Sequence, residues 1–163
     1  MPRPGALYFL NLYLEQIRTT VFRQMLFAEF ELLTHAAVEK GEVLTADKLE
    51  GIWMKLNRTY YGQDVALDPG LAAEWSRIPH FYRPFYVYQY ATGYAAAMTL
   101  SHNLRTKGEP ARKAYLATSR AAAATTPSSC SSGPRRHDEY GAFRLTFEKF
   151  RQCLDELAAS CPQ

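Results

Sequence analysis

One short stretch of the chain concentrates side chains that can donate hydrogen bonds: residues 78–94 read IPHFYRPFYVYQYATGY. Pro79 and Pro84 cannot sit in a helix interior, so they bracket a loop. That loop presents His80 and Tyr82, and a helix predicted to begin at Phe85 presents Tyr86, Tyr88 and Tyr90. Imidazole and phenol groups gathered where a helix starts can donate to a substrate carbonyl, and to the oxyanion that forms when the carbonyl is attacked. The competing reading is plain packing. Tyrosines on one side and Ala91, Ala95, Ala96 and Ala97 on the other also describe a helix fitted closely into a core.

The other chemically able residues are weaker. Arg135, Arg136, His137, Asp138 and Glu139 are adjacent and resemble a metal or acid–base cluster. Cys130, Cys153 and Cys161 have no metal-ligand spacing, and their odd number does not read as a secreted disulfide framework. His35 opens the run H-A-A-V-E, which lacks the second histidine and the placed glutamate of an H-E-x-x-H zinc helix. Neither His35 nor His102, near the end of a helix, is assigned a function.

These residues need helices to hold them, and the sequence supplies a series. From residue 7 to 40, Leu10, Leu14, Ile17, Val21, Met25, Ala28 and Leu32 recur at helical spacing. Glu15, Arg18, Arg23, Glu29 and Glu31 fall between them, and Gly41 is a natural stop. Thr45 is placed to cap a second helix, with Asp47 in its first turn and Leu49, Trp53, Leu56 and Tyr60 on its apolar face before Gly62. Asp68-Pro69-Gly70 makes a turn, followed by a short helix over 71–76. The tyrosine helix is expected over 85–105, a short one from Pro110 to Leu116, and a last one over 143–158. No strand candidate survives, so the expected fold is all-α.

Composition narrows the setting. With 163 residues and 47% hydrophobic content the chain suits one compact domain that needs neither disulfide nor metal to hold its core. A net charge of +3 is too small a surplus to argue for nucleic acid. Residues 81–100 are long enough to span a membrane, yet their tyrosines favour an interface or a cleft. They are read as a buried or cleft-lining helix. No secretory signal is recognised, so a cytoplasmic protein without membrane or nucleic-acid partners is expected.

Residues 78–94, together with YLEQIRTTVFRQMLFAEFE (13–31) and LNRTYYG (56–62), strongly resemble oligoendopeptidase F. That group stands with the thimet oligopeptidases, zinc enzymes that cut short peptides in a largely helical cavity. The resemblance covers residues 7–116 and resumes over 143–157. It implies that His80 and Tyr88 stabilise the tetrahedral intermediate, with Tyr82 a further candidate, and that Tyr86 and Tyr90 bind substrate. It also implies a zinc cofactor held by an H-E-x-x-H helix and a glutamate on a following helix, none of which this sequence contains. The expectation is therefore the C-terminal, substrate-facing part of a zinc metalloendopeptidase, inactive alone. Its partners would be an oligopeptide and a missing N-terminal half that carries the metal. The alternatives are one half of a split or pseudo-enzyme, or a non-catalytic helical interaction module.

Residues 117–141, ATSRAAAATTPSSCSSGPRRHDEYG, have almost no large apolar residue and no period, the composition of a disordered linker. A sharper account follows from the resemblance. The family text GGSDYPVELLKRAG, written in GC-rich codons and read one base later, gives AAATTPSSCSSGP, which is 122–134 here. A frameshifted segment between a 1–116 part and a 142–163 helix of the same domain is the expected organisation. It removes the 135–139 cluster and Cys130 from consideration as sites, and leaves Cys153 and Cys161 as ordinary thiols.

Overall fold

The computed structural model describes residues 4–124 and 139–160. All regular structure among them is helical, as the periodicity predicts. The chain divides into two units, one of residues 15–91 and one of residues 1–14 with 92–163.

The long predicted helix is present with one change of register. Helix α1 (Pro4–Ile17) runs into a π-helical turn (Arg18–Phe22) and then helix α2 (Arg23–Glu39). At this turn the Thr19 hydroxyl donates to the carbonyls of Glu15 (2.8 Å) and Gln16 (3.3 Å), and the Gln24 side-chain Nε2 donates to the Thr19 carbonyl (3.4 Å). A wide turn shifts the phase of everything after it. The buried face follows the predicted stripe through Ile17 and Val21, then moves to Leu26, Phe27, Phe30, Glu31 and Thr34, and Leu32 is turned outward. Glu31, read from the sequence as a polar residue between apolar ones, is therefore buried.

Gly41 ends α2 as expected. At φ +79° it is left-handed, and the Glu42 amide reaches the Ala37 carbonyl (3.0 Å) while the Gly41 amide reaches Val38 (2.8 Å), a Schellman closure. The Thr45 hydroxyl caps helix α3 (Ala46–Tyr61) by accepting from the Lys48 amide at 3.3 Å. The predicted third helix is a 3₁₀ helix, Pro69–Arg77, started by Asp68 accepting from the Gly70 amide at 2.6 Å. A second 3₁₀ segment, Pro79–Tyr82, fills the loop between the two prolines.

Between α2, α3 and these segments lies an aromatic core. Phe30 meets Trp53 edge-on at 5.1 Å and Phe81 at 5.1 Å, with Phe27 5.5 Å from both Trp53 and Phe81. Leu26, Leu56, Ile78 and Val87 close it. Glu74 is buried and receives both Arg23 and Arg77 at 2.7 Å, which ties the first 3₁₀ helix to α2.

Helix α4 (Tyr88–Lys107) starts three residues later than predicted, because Phe85 takes φ +58° and a helix cannot begin through a left-handed residue. In the second unit Gly108, at φ +62°, ends α4. Helix α5 (Glu109–Ala124) outruns its predicted end at Leu116, since alanine is the strongest helix former and sustains it. Helix α6 (Glu139–Ser160) brackets the predicted last helix. Ala95, Ala142 and Thr146 are buried here, and the Tyr13 hydroxyl donates to the Met98 sulfur at 3.2 Å. Burial, with help from Tyr94 and Cys153, pushes the Tyr13 phenol up to about 12. Burial likewise raises the Cys153 thiol, in keeping with an unreactive one. No described helix is long and apolar enough to cross a membrane. Cys130, Cys161, residues 135–138 and most of the segment read as frameshifted lie outside the described residues.

Candidate functional site

Two buried anchors and one half-buried one shape the loop that carries the candidate residues. Ile78 and Val87 sit in the aromatic core at its two ends, and Phe81 is packed on Phe27 and Phe30 between them. The residues between the anchors are forced toward the surface. Tyr82 is 80% exposed, and Phe85, Tyr86, Tyr88 and Tyr90 are all exposed to lesser degrees. His80 is half-buried.

His80, Tyr86 and Tyr90 come together. The His80 and Tyr86 rings stack at 6.5 Å, His80 meets Tyr90 edge-on at 5.9 Å, and Tyr86 meets Tyr90 edge-on at 5.6 Å. His80 Nε2 lies 3.4 Å from the Tyr90 hydroxyl. A hydrogen bond with Tyr86 raises the Tyr90 phenol, so it stays protonated and able to donate at neutral pH. Tyr88 opens α4 two residues before Tyr90, so the two rings leave the helix in different directions. His80 thus pairs with the two tyrosines assigned to substrate.

Beneath the cluster lies a residue the sequence did not single out. Glu31 is 3% exposed, and its Oε1 accepts from the Phe85 amide at 3.0 Å, holding the left-handed residue in place. The Phe85 ring packs on His35 at 4.7 Å, and His35 Nδ1 is 2.8 Å from the Glu31 carbonyl. Burial raises the Glu31 carboxyl, opposed by the Phe85 amide, His35 and His80. The available signal was position: four residues after Phe27, a carboxylate falls on the buried side once the register has moved.

A metal does not fit these groups. Among the described residues no three His, Cys, Asp or Glu side chains could hold an ion together. Glu31 Oε1 is on a backbone amide and His35 Nδ1 on a main-chain carbonyl.

Comparison with known proteins places this geometry in context. A model described as peptidase family M3 matches residues 8–121. Oligopeptidase PepF of Bacillus subtilis is 50% identical over 110 residues, which is 68% of this chain and 16% of that protein. The plasmid oligoendopeptidase F of Lactococcus lactis subsp. cremoris is 47% identical over 107 residues, 66% of this chain and 18% of that one. Among solved structures, oligoendopeptidase-F from Enterococcus faecium superposes with a TM-score of 0.84 at 35% identity, covering 98% of this chain and 31% of its own. A putative peptidase from Chlamydophila abortus gives 0.74 at 31% identity, over 92% and 25%. The chain thus spans 16% and 18% of the length of these two curated relatives.

Proposed function

The chain belongs to peptidase family M3, and from that premise we propose that it carries the substrate-facing, oxyanion-stabilising part of a zinc endopeptidase acting on oligopeptides in the cytoplasm. The observation behind this reading is the His80–Tyr86–Tyr90 cluster near the surface, whose backbone is anchored in the core by Ile78, Phe81 and Val87. Donors held rigidly at a surface need no reorganisation when charge develops on a substrate oxygen. His80 Nε2 and the Tyr88 hydroxyl donate to that oxygen, with Tyr82 at the outer edge of the same loop. Tyr86 and Tyr90 flank the peptide with ring faces and protonated phenols. The described residues hold no ligand set for zinc, so the metal and the activated water come from a part of the enzyme with other residues. Alone, this chain is inactive.

The test is a chimera in which residues 8–121 replace the matching segment of the Bacillus subtilis relative. His80→Ala in it lowers kcat by about 10²–10³-fold, the usual cost of one oxyanion donor. An unchanged kcat would overturn the role of His80. The isolated chain with added zinc leaves a quenched oligopeptide uncut; metal-dependent turnover would overturn its inactivity.

A second reading, a non-catalytic interaction module, draws on the outward-facing Tyr82 and Phe85, 80% and 52% exposed. Hydrophobic dye binding and concentration-dependent oligomers would favour it.

A further inference from the structure

We propose that the cleft between helices α4 and α6 binds a small organic anion, a phosphate monoester or carboxylate with an apolar body, held by Arg105, Lys149 and His102. The cleft measures about 560 Å³, a size suited to such a molecule.

Three observations carry the site. First, helical register brings its groups together. Met98, Ser101, His102, Arg105 and Thr106 form one face of α4, and Leu145, Lys149 and Cys153, four apart, form one face of α6; both faces line this cleft. His102 and Arg105 are three residues apart on α4, so their Cβ atoms lie about 5–6 Å from each other.

Second, the charge in the cleft is uncompensated. Arg105, Lys149 and His102 line it and no Asp or Glu does. Among the described residues neither Arg105 nor Lys149 has an ion pair. Lys149 is half-buried, and its Nζ donates to the neutral Gln152 side chain at 2.9 Å. Glu156, whose charge reaches Cys153, is not part of the lining. Arg105 also answers the helix dipole from the last turn of α4, but Lys149 sits well inside α6 and has no such use. Like charges around a concave surface raise the potential inside it and draw an anion in.

Third, the rest of the lining suits an apolar body. Met98 and Leu145 contribute side chains without charge, and the Tyr13 hydroxyl is committed to the Met98 sulfur at 3.2 Å. The Arg105 fork and the Lys149 ammonium then take the oxyanion, while a His102 ring N–H and the Ser101 hydroxyl add donors.

The test is titration of the full ¹⁵N-labelled chain at pH 7 with phenyl phosphate and with N-acetyl-leucine, followed by amide shifts, with N-acetyl-leucinamide as the uncharged control. Saturable shifts at His102, Arg105 and Lys149 are expected with at least one of the two anions and not with the control; the anion that binds names the source. Arg105→Gln and Lys149→Gln should each weaken binding by about tenfold, the scale of one charge-assisted hydrogen bond. No saturable shift at these amides with either anion would overturn the inference. So would equal binding of the uncharged control, which decides the matter even if a variant fails to fold, or unchanged affinity in either folded variant. None of these groups belongs to the His80–Tyr86–Tyr90 cluster, so the site stands or falls without the oxyanion reading.

Discussion

Tyr60 and Tyr90 are both tyrosines with raised phenols, but for different reasons. Burial is the largest cause at Tyr60, and its hydroxyl donates to Glu29 Oε2 at 2.9 Å, joining α3 to α2. At Tyr90 the largest cause is a hydrogen bond with Tyr86, and the hydroxyl faces His80 Nε2 at the longer distance of 3.4 Å. A phenol committed to a carboxylate of its own chain is a structural tie. One on an exposed ring cluster, with a long contact to a ring nitrogen, is not committed to a charged group of the fold. The contrast separates residues that hold the fold from residues that the fold displays.

The strongest attack on that contrast is made from below. Trp53 is fully buried and touches Phe27, Phe30 and Phe81, the last of which anchors the candidate loop. Trp53→Ala is expected to lower unfolding free energy in urea by about 3–5 kcal/mol. It should also disperse the ring-current shifts of His80, Tyr86 and Tyr90. A variant that lost this stability while keeping those shifts would mean that the core does not hold the cluster.

The paired substitutions Tyr60→Phe and Tyr90→Phe test the contrast directly. Losing a hydrogen bond to a charged group costs about 1.5–3 kcal/mol, so Tyr60→Phe should fall in or just below that range. Tyr90→Phe, at a surface position, should stay within about 0.5 kcal/mol of the parent chain. Equal losses in urea titrations would erase the distinction and make Tyr90 a second structural tie.

The legibility of these features in the sequence follows the same division. Caps and stops were readable because they depend on local chemistry: Thr45, Gly41, Gly62 and Asp68 each act where their residue type predicts. The all-helical fold was readable from apolar spacing, and the loop between Pro79 and Pro84 from proline itself. Three things depended on non-local or cumulative effects. The π-helical turn displaced the buried face, which hid Glu31 among residues read as solvent-facing. The left-handed Phe85 delayed α4, since its conformation is held by an amide bond to a residue 54 positions earlier. The partners of His80 were set by ring packing among anchors, which no spacing rule encodes. The set His80, Tyr82, Tyr86, Tyr88 and Tyr90 came from the loop motif and its resemblance, while the residue beneath the set needed the fold.

The smallest expected effect concerns Glu31 and pH. Its carboxyl is raised from the ordinary value of 4.5, with burial the largest cause. Between that ordinary value and the raised one, the folded chain binds more protons than the unfolded chain, so this group's contribution makes stability fall as pH rises through the window. Exposed carboxylates paired with cations act in the opposite sense: Arg18 lowers Glu15 and Lys48 lowers Glu42, so each favours the folded chain at higher pH. Comparing the parent chain with Glu31→Gln cancels those terms, because both carry them. The parent should gain stability relative to the variant as pH is lowered from 7 to 4, measured by urea midpoints at each pH. A difference independent of pH would mean that Glu31 titrates alike folded and unfolded, and burial would then not govern its charge. A gain in the opposite direction would mean that the Phe85 amide and the two histidines outweigh burial, making Glu31 a stabilising anion within the candidate site.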